Sequence, residues 1–218
     1  AKAGADLAAV LETCGAACFE TYAGRGVVPW DYPLNFGAAL ARPSSAQIVA
    51  QADCVVAIGT ELAEVDLWRA HLGHSCPLYR IDIDPECLAD MQRAEMAILA
   101  RAEEAMASLR PLMAASASQW QARSVAHQRG LWRAETEAER PGIIAIVEAL
   151  RAVVPDDAMI YSDMTQFAYV ANEVWPMTRA KHWHHPSGFG TLGYALPAAI
   201  GGAVVRPGKP TLAIAGDY

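Results

Sequence analysis

The sequence predicts an α/β fold made of two parallel-sheet α/β units. Three observations carry this. Short apolar runs such as "CVVAIG" are bounded by turn residues, as in strands covered on both faces. Segments with helical spacing alternate with these runs. The alternation occurs twice, on either side of an Ala-rich, charged stretch of helical pattern.

The first unit opens with a helix over 5–14, set by Leu7, Val10, Leu11 and Cys14 and stopped by Gly15. "ACFETY" is strand-like, and "AGRGVVPWDYPLNFG" is a long irregular loop dense in Gly and Pro. "SSAQIVAQA" reads as a helix whose serines suit capping. "DCVVAIGTEL" gives a strand near Val55–Ile58. "PLYRIDIDP" gives another near Leu78–Ile83, with Asp82 and Asp84 at alternate positions and Pro85 ending it. From Met96 to Pro141 the pattern is helical, a final helix followed by an exposed connecting segment.

The second unit begins near Pro141. It runs as helix "GIIAIVEALRAVV", strand "AMIYSDM", helix "QFAYVANEVW", a strand near "KHWHH", a Gly-rich loop, helix "LPAAIGGAVV" and strand "TLAIAGD". The expected organisation is therefore 1–109, a linker over 110–140, and 141–218.

Composition narrows the partners. The 218 residues are 53% hydrophobic and 19% charged, which fits a folded globular protein rather than a disordered one. A net charge of −7 argues against nucleic acid or an anionic membrane as the partner. No run approaches the ~20 apolar residues of a membrane span. Five cysteines without a C-x-x-C pair read as reduced thiols in a cytoplasmic protein. Cys14 and Cys18, four apart, fit one helical face as core packing.

Two stretches point to chemistry. "SGFGTLGYALPAAIGGAVV" is a Gly-rich loop feeding a helix, where a ligand's anionic group can meet backbone N–H groups. The same small residues also suit tight helix-on-sheet packing. "TLAIAGDY" delivers Asp217 to the carboxyl end of a parallel strand, where open α/β sheets bind ligands. A carboxylate there suits a hard metal holding a diphosphate, or a helix N-cap. "HWHHP" places His182 and His184 on one strand face and leads into the glycine loop, so that one histidine reaches towards a substrate pocket or all three sit at a strand end.

The closing stretch "GFGTLGYALPAAIGGAVVRPGKPTLAIAGDY" resembles the cofactor-binding segment of thiamine-diphosphate-dependent enzymes of the acetolactate synthase, pyruvate oxidase and 2-oxo acid decarboxylase type. "AGRGVVPWDYPLNFG", "QADCVVAIGTEL" and "YRIDIDP" resemble the middle domain of the same family, in the same order. The resemblance covers essentially the whole chain. It implies a Rossmann-like middle domain followed by part of a thiamine-diphosphate-binding fold. It also implies that the chain is a piece of a longer, homodimeric or homotetrameric enzyme and inactive alone, with no catalytic residue of its own.

By resemblance, Leu192 is the wedge under a bent cofactor, and the Gly190 carbonyl and Leu192 N–H bind its aminopyrimidine edge. Thr191 and Gly216 belong to the same cradle. Asp217 ligates Mg²⁺, the Tyr218 N–H faces the diphosphate, and Gln166 hydrogen-bonds a diphosphate oxygen. The cofactor's thiazolium then takes up the electrons released when a 2-oxo acid loses CO₂, and a proton or a carbonyl compound is the acceptor.

Departures from the family pattern are informative. Tyr218 stands where the family has Gly, and Phe167 where it has His. "FGAALARPSSA" lacks the histidine, and "TELAEVD" the arginines, that hold FAD in flavin-binding relatives, so FAD is not expected. The acids of "TELAEVD" raise a cationic, guanidino 2-oxo acid as a substrate, beside their plainer reading as a solvated loop. The other class of reading is a nucleotide-binding regulatory module without catalysis, although no G-x-G-x-x-G follows the first strand.

Overall fold

A computed structural model describes residues 3–116 and 118–217. The first unit contains α1 (Gly4–Cys14), α2 (Ser45–Val49), β1 (Val55–Ile58), α3 (Glu64–Leu67), β2 (Leu78–Asp82), α4 (Pro85–Leu88), β3 (Met96–Leu99) and α5 (Ala102–Leu109). α6 (Ala122–Glu139) leads to the second unit. There follow α7 (Ile143–Val153), β4 (Met159–Ser162), α8 (Gln166–Val174), β5 (Trp183–His184), α9 (Ala195–Val205) and β6 (Thr211–Ile214).

Each unit is a three-stranded, wholly parallel sheet with helices packed on it. The orders are β1-β2-β3 and β5-β4-β6. Register is fixed by pairs such as Ile58↔Ile81 and Ile81↔Ile98 in the first sheet, and Ile160↔Trp183 and Ile160↔Leu212 in the second. Ile81 packs with Met106 of α5, and Ile160 lies in a core with Ile144, Val147, Val170 and Trp183. The α/β class and the strands at 55, 78, 159 and 211 therefore match the sequence pattern.

Several local expectations are corrected. Residues 17–22 form no strand, only an isolated bridge between Cys18 and Asn35. Glu20 turns inward there, 8% exposed, and accepts from Val28 N–H and Asn35 Nδ2. Those bonds organise the loop in place of a ladder, and Pro29 and Pro33 have no N–H to extend one. Cys18 is consequently not on the α1 face with Cys14, because Gly15 ends that helix in the left-handed region at φ 59°.

Residues 96–99, expected to be helical, are β3. Their pairing with β2 overrides the helical propensity of the surrounding Ala-rich sequence. Cover on both faces does not extend to β3, all of whose residues are exposed, nor to Val56. Asp84 does not continue β2. It caps α4 by accepting from Glu86 N–H at 2.9 Å, and Pro85 opens that helix. Ser44 makes no cap bond, because its hydroxyl accepts from Trp132 Nε1 at 2.8 Å.

That last contact explains the stretch 110–140. Although most of its described residues are exposed, it carries α6, which buries Val125, Trp132 and Thr136. Trp132 closes an aromatic cluster with Phe19 and Phe36, whose rings stack at 4.8 Å, so α6 covers the irregular loop of the first unit.

The two units are also joined by buried charge. Arg42, 5% exposed, donates to Glu173 of α8 and to Thr136 and Glu139 of α6, at 2.7–3.0 Å.

Candidate functional site

Parallel strands put all their carboxyl ends on one edge, and the edge of the second sheet gathers the expected cofactor residues. At its centre are Ser162 and Asp163, at the end of β4 and essentially without exposure. The Asp163 N–H donates to Ile214 O at 2.8 Å, which binds the end of β6. The Asp163 carboxylate accepts from Ala195 N–H, also at 2.8 Å, at the start of α9. An anion there matches the partial positive charge of a helix N-terminus.

Ser162 holds the other strand. Its Oγ accepts from Trp183 Nε1 at 2.9 Å and lies 3.0 Å from His185 Nδ1. The Ser162 hydroxyl thus links the Trp183 indole to the His185 imidazole. Burial first, and the nearby Arg25 charge second, push the His185 pKa down to about 4; the Ser162 backbone and Asp163 act the other way but more weakly. His185 is therefore neutral across the physiological range.

The glycine loop springs from this point. Ser187 N–H donates to His185 O at 2.8 Å, and Gly190 N–H to Pro186 O at 2.9 Å. Gly190 sits at φ +59°, a conformation glycine takes without strain. Loop residues 186–194 are thus tied at entry through Ser162 and at exit through Asp163.

Of the expected residues, Gly190, Thr191 and Leu192 lie in this loop, with Leu192 59% exposed. Gly216 and Asp217 follow β6 on the same edge and are exposed. Gln166 is the first residue of α8, also on that edge, but its Oε1 accepts from Arg140 Nε at 2.8 Å. Tyr218 lies outside the described residues. His182 bonds Ala180 O at 2.9 Å, while His184 lies 3.1 Å from Met159 Sδ and stacks on Tyr161. Of the three histidines, His185 is the one built into the base of the loop.

Sequence reasoning did not single out Ser162, Asp163 or Arg25. Asp163 had a signal, since a polar pair ends an apolar strand just before a capping Thr165, whose Oγ accepts from Ala168 N–H. The donor chemistry suits a metal diphosphate, with a hard carboxylate oxygen at a strand end beside a glycine loop rich in backbone N–H groups. Among the described residues no three metal-type side chains converge. Asp217 would therefore act with oxygens supplied from elsewhere, the diphosphate included.

The matching edge of the first sheet differs in charge. Asp82 accepts from Asp84 N–H, and desolvation first, then the charges of Asp84, Asp82 and Glu61, push up the Cys87 thiol. Arg80, 1% exposed, is committed to Asp90 and to Thr60 O. No helix among the described residues is long and apolar enough to cross a membrane.

Comparison with known proteins places the sequence in a family. Residues 1–109 match the family model "Thiamine pyrophosphate enzyme, central domain", and residues 163–218 match "Thiamine pyrophosphate enzyme, C-terminal TPP binding domain". The chain is 39% identical, over 99% of its length, to 39% of the probable 2-ketoarginine decarboxylase AruI of Pseudomonas aeruginosa. It is 28% identical, over 88% of its length, to 35% of the acetolactate synthase isozyme 1 large subunit of Escherichia coli. It is 27% identical, over 99% of its length, to 37% of the pyruvate oxidase of Lactiplantibacillus plantarum. The chain thus spans well under half the length of these relatives. With both sheets, the glycine loop and the closing Asp in the expected order, the chain belongs to the thiamine pyrophosphate enzyme family.

Proposed function

We propose that this chain forms part of the central domain, over 1–109, a linker over 110–140, and the N-terminal part of the cofactor-binding domain, over 141–218, of an enzyme that decarboxylates a 2-oxo acid. The observation that carries the reading is the convergence on Asp163, which ties the exit of the glycine loop to the end of the strand that delivers Asp217. Thiamine diphosphate, when bound, supplies the electron sink for decarboxylation.

The residues then have distinct tasks. Asp217 is the protein's carboxylate for Mg²⁺. The Gly190 carbonyl and Leu192 N–H orient the aminopyrimidine, and the exposed Leu192 side chain supports the bend. Thr191 and Gly216 shape the backbone around the cofactor. Gln166 reaches a diphosphate oxygen only on leaving Arg140. The Tyr218 N–H completes the diphosphate contacts.

A guanidino 2-oxo acid is the first substrate to test, supported by the identity to a probable 2-ketoarginine decarboxylase and by the acids of 60–66. FAD is not part of this reading, because "FGAALARPSSA" and "TELAEVD" lack the histidine and arginines that hold it in flavin-binding relatives. The reducing cytoplasm suits five free thiols, and a homo-oligomer suits the family.

The experiment is product analysis of the full-length protein with Mg²⁺, thiamine diphosphate and either pyruvate or 2-oxo-5-guanidinopentanoate. Release of CO₂ with an aldehyde from the guanidino acid supports the reading. A two-carbon transfer product from pyruvate alone would replace it with an acetolactate-type carboligation. Loss of neither acid, in protein that binds the nucleotides ADP or FAD, would favour a regulatory module.

A further inference from the structure

Arg25 belongs to the first unit, but its side chain ends inside the second. It is 5% exposed. Its Nη1 and Nη2 donate to Ala171 O at 3.0 Å and Asn172 Oδ1 at 2.8 Å, both in the last turns of α8. Its Nε donates to Tyr22 O at 3.0 Å, and its guanidinium carbon lies 5.0 Å from the centroid of the Trp183 ring. A helix C-terminus and an aromatic face both favour a cation. The neighbouring Gly26, at φ +79°, makes the insertion possible: a Cβ there would stand 2.6 Å from the Arg179 carbonyl carbon.

The contacts continue from Trp183 to the glycine loop. Trp183 donates to Ser162 Oγ, Ser162 faces His185 Nδ1, and the His185 and Pro186 carbonyls accept from the first turns of the loop. Arg42, the other buried arginine between the units, touches neither Trp183 nor Ser162. It bonds Glu173, Thr136 and Glu139, and Glu139 passes the contact to Arg140, the partner of Gln166.

We propose that Arg25 is a positioning residue for the cofactor loop. By gripping α8 and the Trp183 ring together, it sets, through Ser162 and His185, where residues 186–193 leave β5. The central domain thereby helps to fix the geometry of the glycine loop. The proposal rests on the reading of that loop as part of the thiamine diphosphate site.

Calorimetric titration of thiamine diphosphate with Mg²⁺ into the full-length protein tests it, with far-UV circular dichroism to confirm folding. Arg25→Lys keeps the charge but loses the planar fork. Trp183→Phe keeps the ring under Arg25 but removes the donor to Ser162, and Ser162→Ala removes the link to His185. Each should raise Kd on the order of tenfold. Arg80→Ala, whose lost contacts to Asp90 and Thr60 O stay within the first unit, should lower the melting temperature and leave Kd of the folded protein at the wild-type value. A folded Arg25→Lys protein with wild-type Kd would overturn the proposal; where that variant does not fold, Trp183→Phe and Ser162→Ala proteins with wild-type Kd would overturn it as well. A wild-type protein that binds no thiamine diphosphate sinks the cofactor reading itself, and the proposal with it.

Discussion

Asp163 accepts the backbone N–H of Ala195 at 2.8 Å, joining the end of β4 to the first residue of α9. Both partners are buried, so neither can turn to water if the other is removed. Asp163→Ala should therefore cost about 1–3 kcal/mol, the range for stranding a buried hydrogen-bonding group. Asp163→Asn keeps an acceptor oxygen and should cost less. Urea denaturation of the three proteins checks this order.

Asp217 is exposed and bears on the fold very little. Asp217→Ala should leave stability unchanged within about 0.5 kcal/mol, as for most surface changes. It should abolish Mg²⁺-dependent cofactor retention and activity. Leu192→Ala should keep much of the binding and lower kcat. Full activity in Asp217→Ala would remove it from the metal site.

His185 makes stability depend on pH. The unfolded imidazole takes a proton near 6.5, whereas the folded one does so only near 4. Below 6.5 the unfolded state thus binds more protons, and stability falls as pH drops towards 4; above that window the group contributes no slope. After solvent screening the loss should be roughly 1–2 kcal/mol. His185→Gln should flatten the profile between these limits in denaturation measured across pH.

Arg42 holds Glu173, whose side chain is only 15% exposed. Arg42→Ala should destabilise by about 3–5 kcal/mol, because the glutamate loses its counter-charge. Adding Glu173→Gln should recover part of that loss. A double-mutant cycle reads the coupling directly, and additivity would show that the pair is not coupled.

Thiol reactivity should be graded. Burial, reinforced by the charge of Glu20, pushes Cys18 up to about 12, while Cys54 is exposed. At about pH 8, iodoacetamide should label Cys54 long before Cys18, because only the thiolate reacts. Peptide mass spectrometry gives the order, and early labelling of Cys18 would contradict its burial.

The strands and helices of the second unit were legible because each has a full apolar period and a turn signal at its end. β3 was not. Met96–Leu99 reads as the start of a helix until β2 is available to pair with it. The packing of α6 was hidden for the opposite reason: its helical pattern was read, but its mostly polar sequence buries a few residues, Trp132 above all, against a loop far away in the chain. At the site, a glycine loop and a closing Gly-Asp are local signals and were read from sequence. The Ser162 and Asp163 bonds and the reach of Arg25 are products of tertiary placement, spanning up to 147 residues of chain.

The two ties at the ends of the glycine loop bear on the thermodynamics of recognition. A segment free at one end must be ordered by its ligand, which reduces the affinity observed. Residues 186–194 are instead clamped to neighbouring positions of a single strand, so the loop-closure entropy was surrendered when the domain folded. What stays adjustable is the tip, where Phe189 is 98% exposed. Ligand capture should therefore show a small conformational entropy loss, confined to a few residues around Phe189 and Leu192.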